Sequence, residues 1–203
     1  MKKIFFIILI TAFFGCKKET ENTDNKPNIE TKADLTIASK NFEKYLKHNA
    51  ELFEYQIVGI KDSLPFSDAE ISFPLKENEF HYNKSKDFNY FEAKSFENKN
   101  NKLKIIIYNT YGENDLKVLN IQLNSYNSGQ LVDALLLDCR FTFETEYFRN
   151  FKINSNAIEI KKFNVDKLLY NEEGDIIGNK PVNDTVVNIV KYKLNDKGFF
   201  IKQ

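Results

Sequence analysis

The stretch LNIQLNSYNSGQLVDALLL, Leu119–Leu137, contains the pattern that decides the fold of this chain. Its first part alternates apolar and polar side chains, with Leu119, Ile121 and Leu123 on one side and Asn120, Gln122 and Asn124 on the other. Such alternation is typical of a strand with one buried and one solvated face, and it favours an antiparallel sheet. After the turn cluster Asn127-Ser128-Gly129, the run Leu131–Leu137 is apolar on both sides except at Asp133, which predicts a central strand covered on both faces.

The same succession of strands and turns extends in both directions from this stretch. Between Phe88 and Tyr170 the chain has no proline, and its only glycines there are Gly112 and Gly129. Short β-branched and aromatic runs are separated by clusters of Asn, Asp or Gly, which tight hairpin turns prefer. We predict strands near residues 88–97, 103–111, 116–126, 130–137, 139–151, 157–165, 185–194 and 199–202. The expected fold class is mainly β (α+β), an antiparallel meander or curled sheet of about 7–8 strands.

The segment before this sheet carries a helical pattern. Its apolar residues fall at helical spacing, namely Leu35, Ala38, Phe42, Tyr45 and Leu46. This spacing predicts one N-terminal amphipathic helix over residues 35–48, which could cover one face of the central strand. Residues 52–60 either extend the helical stripe or begin a strand. Residues 61–87 contain Pro65 and Pro74, which predicts a packed loop with at most one short helical turn.

The first sixteen residues have the layout of a secretory signal peptide. A basic start is followed by the apolar run Ile4–Phe14, interrupted only by Thr11, and then by Gly15-Cys16. The run is too short for a membrane-spanning helix, which needs about twenty apolar residues. Residues 17–32 contain a single apolar side chain, Ile29, and predict a disordered tether. We therefore predict a signal peptide at 1–15, a lipidated cysteine with its tether at 16–33 and a single β-rich domain at 34–203; a plain secreted protein is the alternative.

The small residue directly before Cys16 resembles the signal of bacterial lipoproteins. In that family the peptide is removed before the cysteine, which then carries fatty acyl chains; Phe13 departs from the usual leucine at the start of the motif. The resemblance implies lipidation at Cys16 and a cell-envelope location, and Lys17 favours the outer membrane by analogy. Leu119–Leu137 and Tyr192–Phe200 are also similar to uncharacterised β-rich lipoproteins of Bacteroidetes. That resemblance implies no activity, cofactor or catalytic residue.

Composition and spacing give little support to nucleic-acid, metal or thiol chemistry. The chain has 29 Lys+Arg and 29 Asp+Glu and no basic stripe, so nucleic acid is not an expected partner. Its two histidines, His48 and His81, lack the spacing of a zinc site, and no cofactor motif is present. Cys139 could pair with either histidine as a nucleophile. It alternates in phase with Phe141, however, which predicts a buried, inert thiol.

Four acidic residues are the candidates for hydrolytic chemistry, namely Asp133, Asp138, Glu144 and Glu146. Paired carboxylates can hydrolyse glycosides, but the chain has no tryptophan to stack on a sugar ring. We interpret Glu144 and Glu146, together with Asp138, as parts of a solvated strand face. The acidic stretch NEEGDIIG, Asn171–Gly178, is interpreted as a hairpin turn with Gly174 at the bend, because it lacks the ligand spacing of a calcium loop.

These observations predict a non-enzymatic cell-envelope lipoprotein that binds another molecule. It is anchored to the membrane through Cys16, and its partner is an envelope protein, a polymer or a toxin. Two alternatives stay open. One is an immunity-type inhibitor of a secreted toxin, and the other is an envelope hydrolase that uses the strand carboxylates.

Overall fold

The computed structural model describes residues 36–49 and 54–203, which belong to one compact unit spanning Asp34–Gln203. The predicted signal peptide, Cys16 and the predicted tether lie outside the described residues. Within the described ranges, no helix combines the length and the apolar composition that a membrane crossing requires.

Strands make up most of the described chain. The strands, in chain order, are β1 (Thr36–Ala38), β2 (Leu46–Asn49), β3 (Glu54–Ile57), β4 (Ser63–Pro65), β5 (Asn89–Asn98), β6 (Asn101–Tyr111), β7 (Lys117–Asn127), β8 (Gln130–Thr142), β9 (Thr145–Asn154), β10 (Ala157–Tyr170), β11 (Ile176–Leu194) and β12 (Phe200–Lys202). The α-helix α1 covers Asp68–Ser72, and short 3₁₀ turns cover Ser39–Asn41, Glu43–Tyr45 and Glu113–Asp115. From β4 to β12 each strand pairs with its chain neighbour, so the predicted mainly β, antiparallel meander is confirmed.

The sheet divides where β8 and β9 diverge. These two strands share only two residue pairs, Phe141 with Tyr147 and Thr142 with Glu146. Beyond them, the edge of β9 near Asn154 pairs with β1 instead. We call β4–β8 the first half and β9–β12 with β1 the second half. Apolar side chains of both halves form one core, which includes Leu103, Ile105, Ile121, Leu123, Leu135, Phe151, Ile153, Ile160, Tyr192 and Phe200.

The N-terminal helix predicted over residues 35–48 is wrong. Thr36–Ala38 forms β1 against β9, two 3₁₀ turns follow, and Leu46–Asn49 forms β2. An isolated helix of this length is marginal in water, and the open ladder of β9 offers the segment backbone hydrogen bonds instead. Ile37 and Phe42 are nevertheless buried in the core, where their apolar side chains contribute to tertiary packing. The strand alternative for residues 52–60 is confirmed at Glu54–Ile57, which pairs with β2.

Two predicted strand boundaries also differ from the structure. The predicted break at residue 138 is absent, because β8 continues to Thr142 and turns at Phe143-Glu144. Asp138 is 0 % exposed inside this strand, where its carboxylate accepts hydrogen bonds from Arg140 Nε (2.6 Å) and the Arg149 backbone N–H (2.8 Å). β11 begins at Ile176, nine residues before the predicted residue 185.

The predicted solvated face of β7 is buried. Asn120, Gln122 and Asn124 are each 2 % exposed, because the segment from Phe66 to Lys84 covers this side of the first half. The amides satisfy one another and their neighbours. Gln122 accepts a hydrogen bond from Tyr108 Oη at 2.7 Å and donates one to Asn124 Oδ1 at 2.5 Å. Burial without loss of hydrogen bonds is what polar side chains in a core require.

Candidate functional site

The hairpin of β10 and β11 provides the candidate site. The two strands pair from Ala157–Lys193 to Tyr170–Ile176, and β11 is 19 residues long. On its other side, β11 pairs with β12 only over Tyr192–Leu194. Among the described strands, none pairs with residues 176–190 on that side. We call this stretch the free edge.

The direction of the backbone groups at the free edge follows from two hydrogen bonds. The Leu194 N–H donates to Asn156 O, on the β10 side of the strand. Lys191 O accepts from the Gln203 N–H, on the opposite side. Because antiparallel pairing alternates from residue to residue, Thr185, Val187 and Ile189 direct their N–H and C=O groups away from β10. Such a row of unpaired groups is a template for another strand.

Six apolar side chains of β11 are exposed. The exposed fractions on β11 reach 79 % at Val182 and lie at 45 % or above for the others, which are Ile176, Ile177, Val186, Val187 and Ile189. Val187 lies across from Phe163, whose ring stacks on Phe148 with 4.8 Å between centroids. Large exposed apolar patches are typical of interaction surfaces, which makes this hairpin the candidate site.

A bulge limits the length of the free edge along which another strand could pair regularly. Residues 180–183 are inserted between the Asp166–Asp184 and Leu168–Asn179 pairs. Lys180 fastens this bulge, since its ammonium binds Asp166 at 2.5 Å and Asp184 at 2.8 Å. Pro181 in the bulge has no N–H to donate. Regular strand addition is therefore confined to Asp184–Val190, where the β-branched residues are concentrated.

A buried charged cluster holds residues 76–79, which we call the strap, against the second half. Burial alone would raise the pKa of Glu77, but hydrogen bonds from Lys162, Tyr192 and Lys202 outweigh it and lower that pKa to about 2. Arg149 is 0 % exposed and donates to Glu77 O at 2.9 Å and to Leu136 O at 3.2 Å. The charges in this cluster have partners, so its evident role is structural.

The four candidate carboxylates for hydrolysis lie in different surroundings. Asp133 accepts hydrogen bonds from Lys76 Nζ at 2.5 Å and from the Phe200 N–H at 2.7 Å. The solvated position predicted for Asp138 is wrong, because Asp138 is 0 % exposed and paired with Arg140. Glu146 binds Lys167. Glu144 is exposed in the β8–β9 turn.

Asp138 and Glu146 share a neighbour in Tyr55. Burial raises the pKa of Tyr55, Arg140 lowers it, and both carboxylates raise it further. The Arg140 guanidinium lies over the Tyr55 ring at 5.8 Å and binds Asp138. Among the described residues, no hydrogen bond or ion pair joins Asp138 to Glu146, and Arg140 balances the charge of Asp138.

The cysteine and histidine candidates are not brought together. Cys139 is 1 % exposed, and burial raises its thiol pKa to about 12. His48 packs on Tyr55 at 4.9 Å between ring centroids, and no hydrogen bond joins Cys139 to either histidine in the described chain. Within the same residues, no cluster of three or more His, Cys, Asp or Glu is arranged to hold a metal ion.

The acidic stretch after β10 is a hairpin turn, as predicted. The Asp175 N–H donates to Asn171 Oδ1 at 2.7 Å, the Asn171 N–H donates to Asp175 O at 3.0 Å, and Gly174 has a positive φ of 90°. Sequence reasoning missed the free edge that follows this turn. The run VVNIV, Val186–Val190, could have indicated the free edge. It is apolar on both faces, and the predicted meander has no further element to pack against it.

The chain matches no family model, no curated protein and no solved structure.

Proposed function

We propose that this chain is a lipid-anchored cell-envelope protein, without catalytic activity, that binds a partner protein by strand addition at the free edge of β11. The observation that carries the proposal is the unpaired backbone of Asp184–Val190 together with its exposed β-branched side chains. Strand addition to an open sheet edge is a general mode of peptide recognition, in which the main chain supplies affinity and alternate side chains supply specificity.

The composition of the free edge describes the partner. Asp184, which binds Lys180 at 2.8 Å, lies at one end, and Lys191, which binds Glu159 at 3.6 Å, lies at the other. The run between them is uncharged and rich in β-branched residues. A complementary segment is therefore extended, with β-branched or aromatic residues in its centre.

The membrane anchor supports the same function. The Gly15-Cys16 pair and the polar stretch at 17–32 resemble the acylation site and tether of lipoproteins. Stable anchoring needs more than one acyl chain, and that family places several chains on one cysteine. We place the protein at the outer membrane. Membrane attachment would keep the free edge near other envelope proteins.

Site-specific photocrosslinking in intact cells tests the binding site. A photoreactive phenylalanine analogue at Val187 or Ile189 is expected to capture a partner protein, identified by mass spectrometry. The matched control is the same analogue at Leu64, which is 49 % exposed on the first half and is expected to capture none. Equal products from all three positions, or a product with twice the mass of this chain, would contradict the proposal.

The anchor is tested separately. Mass spectrometry of the mature chain is expected to show an N-terminal Cys16 with acyl chains, and Cys16→Ser is expected to move the protein out of the membrane fraction. An unmodified residue 16 in the mature chain would refute lipidation.

A further inference from the structure

The outer face of the second half carries lysines that lie far apart in the sequence. Phe151, Ile160 and Tyr192 belong to the core, so the alternate residues of β9, β10 and β11 face solvent. The strand register aligns these residues in three cross-strand rows, Asn154–Ala157–Lys193, Lys152–Glu159–Lys191 and Asn150–Lys161–Ile189. We call these three rows the lysine face. Its lysines come from three strands, which is why the sequence shows no basic stripe.

The lysine face has an excess of positive charge. Its one acidic residue is Glu159, whose carboxylate lies 3.7 Å from the Lys161 ammonium and 3.6 Å from the Lys191 ammonium. Lys152 and Lys193 are exposed and form no ion pair with any residue that the structure describes. One carboxylate therefore serves two lysines, and the other two lysines are uncompensated.

The acidic turn at the far end of the hairpin is too distant to balance this charge. Glu172, Glu173 and Asp175 lie between β10 and β11. About 40 Å of strand separates this turn from Lys191, whereas charges in about 0.1 M salt are screened over about 10 Å. The lysine face therefore presents a net positive charge to an approaching surface.

Two exposed isoleucines accompany the lysines. Ile189 belongs to the lysine face, and Ile201 of β12 lies directly across from Lys193. Their exposed fractions are 53 % and 47 %. Binding at a membrane interface increases with the apolar area that enters the headgroup region and with the attraction between basic side chains and anionic lipids. The lysine face and Ile201 offer both contributions.

The described chain begins beside the lysine face. Thr36, its first residue, pairs with Asn154, and Ala38 pairs with Lys152. The proposed acylation site, Cys16, precedes Thr36 by about twenty residues, a length of chain that spans at most about 70 Å. Such an anchor keeps the domain near the membrane without fixing its orientation. It also makes a second contact with the same membrane effectively intramolecular, so that a weak attraction is sufficient.

We propose that the lysine face docks on an anionic phospholipid surface and orients the anchored domain. The ammonium groups of Lys152 and Lys193 pair with lipid phosphates, and Ile201 lies among the headgroups. This inference rests on the proposed membrane anchor, which favours lipid over nucleic acid or an acidic protein as the occupant. The free edge is at the side of the sheet, so docking leaves Asp184–Val190 open to a partner.

Vesicle flotation tests the proposal with the mature chain carrying Cys16→Ser, so that no acyl chain takes part. In about 0.1 M salt, this chain is expected to float with vesicles of phosphatidylglycerol and phosphatidylcholine in equal parts, and not with phosphatidylcholine alone. In about 1 M salt, where charges are screened over about 3 Å, the binding should be lost.

Two double variants locate the contact. A lysine near an anionic membrane strengthens binding about fivefold, so Lys152→Gln with Lys193→Gln should lower the partition coefficient about 25-fold. The matched control is Lys102→Gln with Lys117→Gln, which makes the same change of charge at exposed lysines of the first half. It should lower the partition coefficient less than about twofold.

Absence of flotation with the anionic vesicles would overturn the proposal, as would equal binding to phosphatidylcholine alone or equal losses in the two double variants. Tighter binding to a single-stranded oligonucleotide than to the anionic vesicles would assign the lysine face to nucleic acid instead. The flotation experiment involves neither an acyl chain nor a partner protein, so its failure concerns the lysine face alone. Mass spectrometry of residue 16 and photocrosslinking decide the proposed function separately.

Discussion

The Glu77 carboxylate binds the Lys162 ammonium inside the domain, where the two side chains are 5 % and 6 % exposed. Glu77 belongs to the strap and Lys162 to β10, so this ion pair joins the cover of the first half to the second half. The strap also adds a short backbone pairing to β8, since the Lys76 N–H donates to Ala134 O and Lys76 O accepts from the Leu136 N–H, both at 3.0 Å. The strap therefore fills part of the gap left where β8 and β9 diverge.

Glu77→Gln is expected to lower the free energy of unfolding by about 3–5 kcal/mol, because it leaves the Lys162 charge buried and weakly compensated. The matched control is Glu79→Gln, whose carboxylate also binds Lys162 but is 49 % exposed, and its loss is expected to be smaller. Urea unfolding at pH 7 measures both. Equal losses in the two variants would contradict the structural role given to Glu77.

Acid is expected to weaken the domain through the same residue. The folded pKa of Glu77, about 2, lies below its ordinary value of 4.5, so its contribution is complete above about pH 4.5 and is lost as the pH falls toward 2. The contribution is on the order of 3 kcal/mol. Urea unfolding from pH 6 to pH 2 should show a smaller pH dependence for Glu77→Gln than for the natural chain.

Lys84→Met is expected to raise the free energy of unfolding by about 1–3 kcal/mol at pH 7, because burial disfavours the charged form of the lysine that it removes. The folded pKa of Lys84, about 8, lies below its ordinary value of 10.5, so the cost is complete below pH 8 and disappears as the pH rises to 10.5. The difference between variant and natural chain should shrink over that range. Lys86→Met, at an exposed position, should change stability by less than about 0.5 kcal/mol. Lower stability of Lys84→Met at pH 7 would show that Lys84 has a structural partner.

Gly198→Ala is expected to destabilise the domain more than Gly174→Ala. Both glycines have a φ near +90°. A Cβ at Gly198 would lie within 2.9 Å of side-chain atoms of Val132, Asn101 and Ser125, whereas a Cβ at Gly174 would meet nothing within 4 Å. Gly174→Ala should therefore lose about 1 kcal/mol from backbone strain alone, and Gly198→Ala more. Thermal unfolding of both variants tests this, and equal losses would disagree with the packing around Gly198.

Proline substitutions separate the two edges of β11. Val187→Pro removes an N–H that is directed away from β10, so the domain should stay folded while crosslinking from position 189 is lost. Asn188→Pro removes an N–H that bonds to β10 and should destabilise the domain by about 3 kcal/mol or more. Circular dichroism during urea unfolding measures the stability of the two proline variants and distinguishes these outcomes. A large loss of stability in Val187→Pro would mean that this edge is paired in the free protein.

Cys139 is expected to resist thiol reagents in the folded chain. Burial raises its pKa to about 12, so little thiolate is present at pH 8. Ellman's reagent should react with it only after denaturation in urea. The experiment uses the Cys16→Ser variant, so that Cys139 is the one thiol in the chain. Fast reaction of the folded variant would contradict the burial of the Cys139 side chain.

Local sequence determined most of the strands and turns. The turns Asn98–Asn101, Asn127–Gly129, Asn154–Asn156 and Asn195–Gly198 separate the predicted strands and are rich in Asn and Gly. Their positive-φ positions are Lys99, Ser128, Gly129, Ser155 and Gly198. The alternation in β7 also placed Leu119, Ile121 and Leu123 correctly in the core. These features depend on interactions between residues a few positions apart, and the sequence shows those residues directly.

Contacts between distant segments decided the rest. Asn120, Gln122 and Asn124 have the pattern of a solvated face, yet they are buried because the segment from Phe66 to Lys84 folds over them. The helical spacing of residues 35–48 gave way to β1 because β9 left a ladder open after it diverged from β8. In the same way, the free edge of β11 exists because the tertiary structure leaves its outer side unpaired. Alternation along one segment predicts which side chains share a face, but only long-range packing determines whether that face meets water, another segment or a partner.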